Sequence, residues 1–252
     1  MAARPGRTPV SERERLLGWE GCFNARDVGG YPTADGRRTR WGALLRSDLI
    51  CRLTPRGRDQ LLAAGVGTIV DLRSEHELVA EPGPYAANTA GAVPIYLNTP
   101  VLDYDDQETM ARLAMTRSYG EDYCLMLDGF RGRIARAVSS IANAPEGGVL
   151  VHCYAGKDRT GIVVALLLAL VGVPKETIVA DYAVSADHLW PLWEEQQRRA
   201  IATLPPHSPP EAMAELLDHL AGTHGGAEAY LKASGLTDEE LARLSERLVE
   251  PG

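Results

Sequence analysis

Cysteine is scarce in this sequence, with four residues at positions 22, 51, 124 and 153. They are widely spaced, and no two of them form a Cys-x-x-Cys pair. In a chain of 252 residues this arrangement does not have the pattern of the disulfide frameworks that small secreted domains use. We therefore expect reduced cysteines and a reducing compartment such as the cytosol.

Basic residues are outnumbered by acidic ones, 26 to 34, which gives a formal net charge of −8 at pH 7. This charge argues against a general nucleic-acid-binding protein and against a protein that binds acidic membranes. An anionic substrate would need a local positive site. Lysine is especially scarce, with three lysines against 23 arginines, so Lys157 is noticeable in its motif.

Long apolar runs are missing as well. The longest, at residues 161–173, is too short to span a bilayer and predicts a buried helix. Residues 1–17 carry positive charges but lack the apolar stretch of a signal peptide. We expect a cytoplasmic protein without membrane insertion, and export by a non-classical route stays open.

Short apolar segments rich in β-branched residues alternate with helical patterns through the first two thirds of the chain. The strand candidates are VGTIVDL, GAVPIYLN and GGVLVHC, and the main helix candidates span 54–65, 121–143 and 161–171. Ser74 and Glu77 form the capping-box pattern of a further short helix. The alternation predicts an α/β fold with a central, largely parallel β-sheet flanked by helices.

The two ends of the chain depart from this alternation. An Asp-Gly turn at 35–36 predicts a small N-terminal β-hairpin, and the patterns over 187–250 predict a helical C-terminal third. We expect a single domain over residues 1–252, with a flexible N-terminal extension at 1–18. Residues 98–120 are polar and acidic, and they fit either a mobile lid or a variable surface loop.

Residues 152–160, HCYAGKDRT, form a group of polar and charged side chains between an apolar strand and an apolar helix. A strand that runs through a tight loop into a helix N-terminus makes an anion site, because the loop amides can point inward and the helix dipole adds positive charge. Arg159 adds a planar fork for two phosphate oxygens. Cys153 begins the loop, so its sulfur would lie at the bottom of this positive bowl, where the thiolate is favoured.

Other residues of the motif would support this chemistry. His152 would orient the loop through a hydrogen bond to the backbone, and the Thr160 hydroxyl would donate to the sulfur and make it a better leaving group. Gly156 relaxes the backbone where the loop curls. The thiolate would attack phosphorus in line while the same donors stabilise the equatorial oxygens, so the reaction needs no metal and no cofactor.

The pattern His-Cys-x-x-Gly-Lys-x-Arg-Thr-Gly resembles the phosphate-binding loop of cysteine-dependent protein tyrosine and dual-specificity phosphatases. Its form here, HCYAGKDRTG, is similar to that of a narrower group of bacterial atypical phosphatases. Three further stretches resemble that group: NARDVGGY, LLRSDLICRLTPRGRDQLLAAGVGTIVDLRS and YLKASGLTDEELARL. The resemblance covers about residues 20–250 and implies a protein tyrosine phosphatase-like fold. It implies phosphotyrosine substrates, in some members phosphoserine or phosphothreonine, or phosphoinositides.

The resemblance also implies roles for the loop residues. Cys153 would be the nucleophile and Arg159 would bind phosphate. The residues that would contact the substrate are Tyr154, Ala155, Gly156, Lys157, Asp158 and Arg159. Lys157 resembles a loop lysine of phosphoinositide-directed phosphatases, whereas Tyr154 stands where some of them carry a second lysine and weakens the lipid case.

The general acid is left open between aspartates. Asp158 is the candidate that the resemblance implies. The stretch LWPLW at 189–193 contains the Trp-Pro of a mobile acid loop but no aspartate, and we interpret it as part of a helix. Asp71 is the second candidate, because it ends a strand and the carboxyl ends of parallel strands converge on the ligand crevice. The acidic stretch 103–106 is a third.

Two other functions fit the loop: a non-catalytic module that binds phospho-ligands, and a thiol-based enzyme similar to arsenate reductases. Small arsenate reductases carry such a loop near the N-terminus, whereas Cys153 is in the middle of this chain. Cys51 would be available as a resolving thiol for an oxidised Cys153. The sequence does not determine the oligomeric state.

Overall fold

Five strands form one sheet at the centre of the molecule. The computed structural model describes residues 15–88, 91–201 and 203–251. The strands within these ranges are β1 (Arg26–Asp27), β2 (Leu44–Ser47), β3 (Val66–Asp71), β4 (Ile95–Asn98) and β5 (Gly148–His152). Their order is β1-β2-β5-β3-β4, with β1 antiparallel to β2 and every other pair parallel. The predicted α/β fold with a largely parallel sheet is confirmed.

The carboxyl ends of the four parallel strands are level with one another. His152, the last residue of β5, is in register with Ser47 of β2 and with Asp71 of β3. Asp71 is in turn in register with Asn98 of β4. The last residues of four strands therefore form one row, and the loops that follow them open at the same edge of the sheet.

Eleven α-helices in the described ranges flank the sheet and build the C-terminal part. They are α1 (Pro55–Ala63), α2 (Glu75–Ala80), α3 (Gln107–Leu113), α4 (Tyr119–Gly129), α5 (Arg131–Ala142), α6 (Asp158–Leu170), α7 (Lys175–Ala183), α8 (Ser185–Arg198), α9 (Pro210–His224), α10 (Ala227–Ala233) and α11 (Asp238–Leu248). The last four confirm the predicted helical C-terminal third. None of the helices in the described part of the chain combines the length and the apolar composition needed to cross a membrane.

Side-chain caps set the starts of the two helices that follow β2 and β3. The Thr54 hydroxyl accepts a hydrogen bond from the backbone N–H of Gly57, which caps α1. At α2, Ser74 and Glu77 form the predicted capping box, in which each side chain accepts from the other residue's backbone N–H. A reciprocal pair of this kind satisfies two of the orphan donors at a helix start. The cap therefore holds Glu77 in a defined position beside the sheet.

Two helix boundaries differ from the sequence prediction. The pattern over 121–143 is divided into α4 and α5, with Phe130 between them. A Cβ atom at Gly129 would lie only 2.6 Å from Thr109 Cγ2, so the close approach of α3 accounts for a glycine at this break. In addition, α6 begins at Asp158 and not at residue 161, which puts the Asp158 carboxylate at a helix N-terminus where the dipole favours it.

Buried segments enclose the loop between β5 and α6. All five residues of β5 are buried, and so are residues 160–168 of α6. The apolar run that is too short for a membrane span is thus a core helix, packed between the sheet and other helices. Near the N-terminus, the turn at Gly36 brings Pro32 and Arg38 into an antiparallel bridge, as expected for the predicted hairpin.

Candidate active site

Cys153 lies at the base of the loop that joins β5 to α6. The residue is 2% exposed and follows the last residue of β5 directly. The loop occupies residues 153–157, and Asp158 begins α6. Because the strand and the helix are both buried, the core holds both ends of the loop in place.

The protein scaffold binds three consecutive peptide carbonyls of this loop from behind. The contacts are Leu49 N–H to Tyr154 O at 2.9 Å, Asn24 Nδ2–H to Ala155 O at 3.0 Å, and Arg46 Nη2–H to Gly156 O at 2.7 Å. In a planar trans peptide the N–H points opposite to the C=O. The N–H groups of residues 155–157 therefore point away from the scaffold. With the free amides at the start of α6 they form a nest for an anion.

A buried ion network centred on Asp181 of α7 fixes two of these donors. Asp181 Oδ1 lies 2.9 Å from Arg26 Nε, and its Oδ2 lies 2.6 Å from Arg46 Nη1, with all three side chains at most 1% exposed. Arg26 Nη1 also donates to Asn24 Oδ1 at 2.5 Å. Burial together with the charge of Arg26 lowers the pKa of Arg46 to about 10. Although burial opposes its ionisation, the two arginines hold the pKa of Asp181 well below its usual range.

Asn24, Arg26 and Arg46 were noted in the sequence only as parts of two family-like stretches, and Asp181 was missed. Asp181 is 155 residues from Arg26 and 135 residues from Arg46 along the chain. No local pattern marks a contact over such distances. The NARDVGGY stretch and the stretch that begins LLRSD, which contains Arg46, are the local signals that point to this network.

Gly156 allows the loop to approach the end of β2. Its φ angle is +64°, in the left-handed region that favours glycine. A Cβ atom here would lie 2.2 Å from Ser47 O and 2.6 Å from Asp48 N. Both distances are shorter than real contacts, so this position requires glycine on conformational and on steric grounds.

Glu77 orients the Arg159 side chain. Arg159 Nη1 and Nη2 lie 2.6 and 2.7 Å from the two carboxylate oxygens of Glu77, a bidentate pair. The two side chains are 11% and 22% exposed. Although burial opposes the positive charge, Glu77 raises the pKa of Arg159. A guanidinium has five N–H donors, so three remain for a ligand in a plane that Glu77 defines.

Asp158 lies at the first position of α6 and is 34% exposed. Its Oδ1 accepts a hydrogen bond from Tyr123 Oη at 2.5 Å and lies 3.3 Å from Lys157 Nζ. Tyr123 Oη is also 2.7 Å from Tyr182 Oη. Burial, and then the Asp158 charge, raise the pKa of Tyr123 far above its usual value, so this hydroxyl stays protonated and donates.

Asp71 lies at the end of β3, next to His152, and its environment differs from that of Asp158. Its side chain is fully buried. The carboxylate accepts from Arg73 Nη2 at 2.7 Å, from Arg73 N–H at 3.0 Å and from Tyr96 Oη at 2.7 Å. Although burial opposes ionisation, the charge of Arg73 and the hydrogen bonds from Arg73 and Tyr96 hold the pKa of Asp71 below its usual value. The structure thus brings Asp71 close to His152, and the hydrogen bonds of its carboxylate are made to buried protein groups.

His152 and Thr160 lie in the buried layer beneath the loop. His152 Nδ1 is 3.1 Å from the Cys153 carbonyl oxygen, and Nε2 is 3.3 Å from Asp71 Oδ2. Burial lowers the pKa of His152 and favours the neutral imidazole, although Asp71 opposes this shift. The Thr160 hydroxyl is buried and has no hydrogen-bond partner among the described residues.

A groove of about 280 Å³ opens beside the loop. Four loop and helix-start residues form one wall: Tyr154, Ala155, Lys157 and Asp158. Arg52, Tyr119, side chains of α8 and residues 203–207 form the rest. Lys157 Nζ donates to His207 O at 2.6 Å and lies 4.2 Å from the centre of the Tyr119 ring.

The remaining sequence candidates have other partners. Cys51 is part of a 3₁₀ turn, and its Sγ lies 3.0 Å from Glu81 O and 3.5 Å from Arg73 Nη1. Burial raises the pKa of Cys51, which favours the protonated thiol. In the acidic stretch 103–106, Asp103 forms an ion pair with Arg133. Asp106 caps α3 by accepting from a backbone N–H of that helix.

A loop whose N–H groups form a nest next to a cysteine is suited to a phosphate dianion, which is the chemistry of cysteine-dependent phosphatases. Comparison with known proteins agrees with that class. A sequence model described as "Tyrosine phosphatase family" matches residues 17–250, so this chain belongs to that family and is a protein tyrosine phosphatase that acts on phosphorylated substrates. The phosphatase function predicted from the sequence is confirmed.

Curated bacterial proteins are similar over most of the chain. A tyrosine-protein phosphatase of Nostoc commune is 33% identical over 83% of this chain and 75% of its own length. The triple specificity protein phosphatase PtpB of Mycobacterium tuberculosis is 31% identical over 89% of this chain and 95% of its own length. A putative tyrosine-protein phosphatase of Cupriavidus necator is 34% identical over 67% of this chain and 62% of its own length.

Proposed function

We propose that this phosphatase acts through a cysteinyl-phosphate intermediate on Cys153. In the first step a bond forms between Cys153 Sγ and phosphorus, the ester P–O bond breaks, and Asp158 donates its proton to the departing oxygen. In the second step water attacks phosphorus, the S–P bond breaks, and Asp158 takes a proton from the water. The products are the dephosphorylated alcohol or phenol and inorganic phosphate, and the enzyme returns to its starting state.

One observation carries this proposal: three consecutive loop carbonyls are anchored from behind. Their peptides therefore present N–H groups to the space above Cys153, where the equatorial oxygens of a transferring phosphoryl group would lie. Fixed donors of this kind stabilise the transition state without having to reorganise. Arg159, held by Glu77, would complete the anion site with its remaining N–H groups.

Burial and hydrogen bonding support Asp158 as the general acid over the alternatives. Asp158 is 34% exposed and lines the groove. Asp71 is fully buried and is saturated by Arg73 and Tyr96. An acid has to contact the leaving group, and Asp71 has no open path to it. We assign Asp71 the role of holding Arg73 and Tyr96 in the buried layer beneath the loop.

The unpaired Thr160 hydroxyl has a role in the second step. It is buried in the first turn of α6 without a partner in the described part of the chain, which leaves its proton available for the Cys153 sulfur. A hydrogen bond to sulfur would stabilise the thiolate as it leaves phosphorus. Neutral His152 would position the loop from the other side through the Cys153 carbonyl.

The groove supports phosphotyrosine as the preferred substrate. Tyr119, Tyr154 and Trp193 place aromatic surface beside the loop, which suits the flat ring of phosphotyrosine. Lys157 already contacts His207 O, Asp158 and the Tyr119 ring, so it is poorly placed to bind a second phosphate of a phosphoinositide. Phosphoserine and phosphothreonine are shorter and would leave this aromatic surface without contact.

The contacts of residues 98–120 support the surface-loop alternative over the mobile lid. Val101 is fully buried, and Asp103 is paired with Arg133 of α5. These contacts attach the segment to the body of the molecule. Tyr119 lines the groove, and most of the other groove residues come from the loop, from α8 and from residues 203–207.

The test compares the wild type with Cys153→Ser, using Cys124→Ser as the matched control. We expect phosphate release from a phosphotyrosine peptide by the wild type and the control, and none by Cys153→Ser. Mass spectrometry of acid-quenched reactions should find a phosphate on the peptide that contains Cys153. Turnover by Cys153→Ser, or a phosphate on another residue, would refute the proposed intermediate. Thiol-dependent reduction of arsenate at a higher rate than phosphate release would favour the alternative function.

A further inference from the structure

Three potential metal ligands meet on the surface between α4 and α9, at residues that the catalytic proposal does not use. Asp128 is in the last turn of α4, and His219 and His224 are in the second half of α9. His219 Nε2 is 3.0 Å from Asp128 Oδ2, and His224 Nε2 is 2.7 Å from Asp128 Oδ1. One ligand atom from each residue lies within 4.8 Å of the others. One coordination sphere can therefore hold all three.

Neighbouring groups hold both imidazole rings. The His224 ring packs edge-on against His219, at 5.3 Å between centres, and against Tyr230, at 5.1 Å. Thr223 Oγ1 lies 3.2 Å from His219 Nδ1. When Nδ1–H donates to such an oxygen, Nε2 carries the free lone pair, which is the usual arrangement of histidines that bind metals. The ligand atoms are therefore largely preorganised.

We propose that Asp128, His219 and His224 bind one divalent transition-metal ion, with zinc as the best fit. Two imidazole nitrogens and a carboxylate oxygen are a donor set that zinc accepts, and water would fill the open position. The ion would replace the two hydrogen bonds that the carboxylate now makes. It would crosslink α4 to α9 and would therefore stabilise the folded chain. The proposal does not depend on the assignment of the catalytic residues.

Arg131 limits the affinity of this site. Its Nη2 lies 3.3 Å from His224 Nδ1, and its charge opposes a nearby cation. For Nε2 of His224 to bind metal, Nδ1 must carry the proton, and it then needs an acceptor where Arg131 offers a donor. Arg131→Gln removes the charge and supplies an amide oxygen. We expect this change to tighten metal binding. If the three residues form only histidine–aspartate hydrogen bonds and bind no metal, the change has no effect on metal binding.

Cys124 is the neighbouring group that must be distinguished from the proposed ligands. It lies one turn before Asp128 on α4. Its sulfur is not among the ligand atoms that lie within 4.8 Å of one another at this site. The proposed donor set contains no sulfur, which a spectrum can check.

The binding experiment uses the full chain with Cys153→Ser, which removes the loop thiol as a competing zinc ligand. Titration with zinc chloride in a calorimeter should show one equivalent bound. His219→Gln and His224→Gln, added separately, should each weaken binding by at least about tenfold, and Thr223→Val by about tenfold. His76→Gln is the matched control, because His76 is an exposed histidine on α2, and it should leave binding unchanged. Arg131→Gln should bind more tightly than the parent.

Cobalt(II) gives an independent measurement on the same proteins. The parent should show visible absorption of a bound ion without an intense near-ultraviolet thiolate band, and the visible signal should be lost in His224→Gln. Circular dichroism without metal shows whether each variant is folded. If one is not, Asp128→Asn replaces it. No binding at millimolar zinc, binding by either histidine variant as tight as by the parent, or a thiolate band that disappears with Cys124→Ser would each overturn the proposal.

Discussion

Asparagine at position 158 has nearly the shape of aspartate but cannot donate a proton to a leaving group. In Asp158→Asn the amide oxygen still accepts from Tyr123 Oη, which is now 2.5 Å from the carboxylate. The pair with Lys157, 3.3 Å apart, is lost, but Lys157 keeps its hydrogen bond to His207 O. A pair whose carboxylate is one third exposed contributes about 0–1 kcal/mol, and the charge at the helix start about 0.3–1 kcal/mol. We therefore expect the free energy of unfolding to fall by less than about 2 kcal/mol.

The expected effect on the rate is much larger. General acid catalysis contributes about 10²–10⁴-fold, which corresponds to roughly 3–5 kcal/mol of transition-state stabilisation. The loss should depend on the leaving group, because a poor leaving group needs the proton more. We expect Asp158→Asn to reduce kcat/KM, which reports the first step alone, strongly for phenyl phosphate and much less for 4-nitrophenyl phosphate.

Asp71→Asn is the matched comparison, and it should show the opposite behaviour. It leaves the buried Arg73 without its charged partner at 2.7 Å. Loss of one partner of a buried ion pair costs about 3–5 kcal/mol, which lowers Tm by roughly 6–20 °C for a domain of this size. Steady-state hydrolysis of both esters, with thermal unfolding of the same preparations, measures the two effects. If Asp158→Asn keeps its rate on phenyl phosphate while Asp71→Asn loses activity without loss of stability, the assignment of the acid is wrong.

Three further predictions concern the support of the loop. Glu77→Gln weakens the bidentate pair that holds Arg159 at 2.6 and 2.7 Å. The inhibition constant for inorganic phosphate should therefore rise about tenfold. An unchanged inhibition constant contradicts this role of Glu77. Gly156→Ala places an alanine at a φ of +64°, with its Cβ atom 2.2 Å from Ser47 O. Urea unfolding should show that the free energy of unfolding falls by more than about 2 kcal/mol. An unchanged unfolding midpoint means that the loop has relaxed. Burial lowers the pKa of His152 from 6.5, so below that pH the unfolded chain binds more protons and stability is lost as the pH falls. Tm measured from about pH 7.5 to 5.5 should therefore fall more steeply in the wild type than in His152→Gln, and parallel profiles would exclude this contribution.

Local features of the fold could be predicted from the sequence. The capping box of Ser74 and Glu77 and the start of α1 at Thr54 are both found as expected. Each depends on hydrogen bonds between residues three positions apart, so the local sequence is sufficient to predict it. The division of the predicted helix at Phe130 could not be found in this way, because the close approach of α3 at Gly129 is a tertiary contact.

The sequence by itself determined the chemistry of residues 152–160, because a cysteine, a glycine and an arginine at these spacings between a strand and a helix leave few alternatives to an anion site above a thiol. Only the tertiary structure decided what holds that loop and how differently the two candidate aspartates are placed. Glu77 reaches Arg159 across 82 residues, and Arg46 reaches the Gly156 carbonyl across 110. Asp71 and Asp158 both have a carboxyl group of the kind that a general acid needs, but they differ in burial and in hydrogen-bond partners. These properties arise from packing between distant segments, so no local pattern contains them.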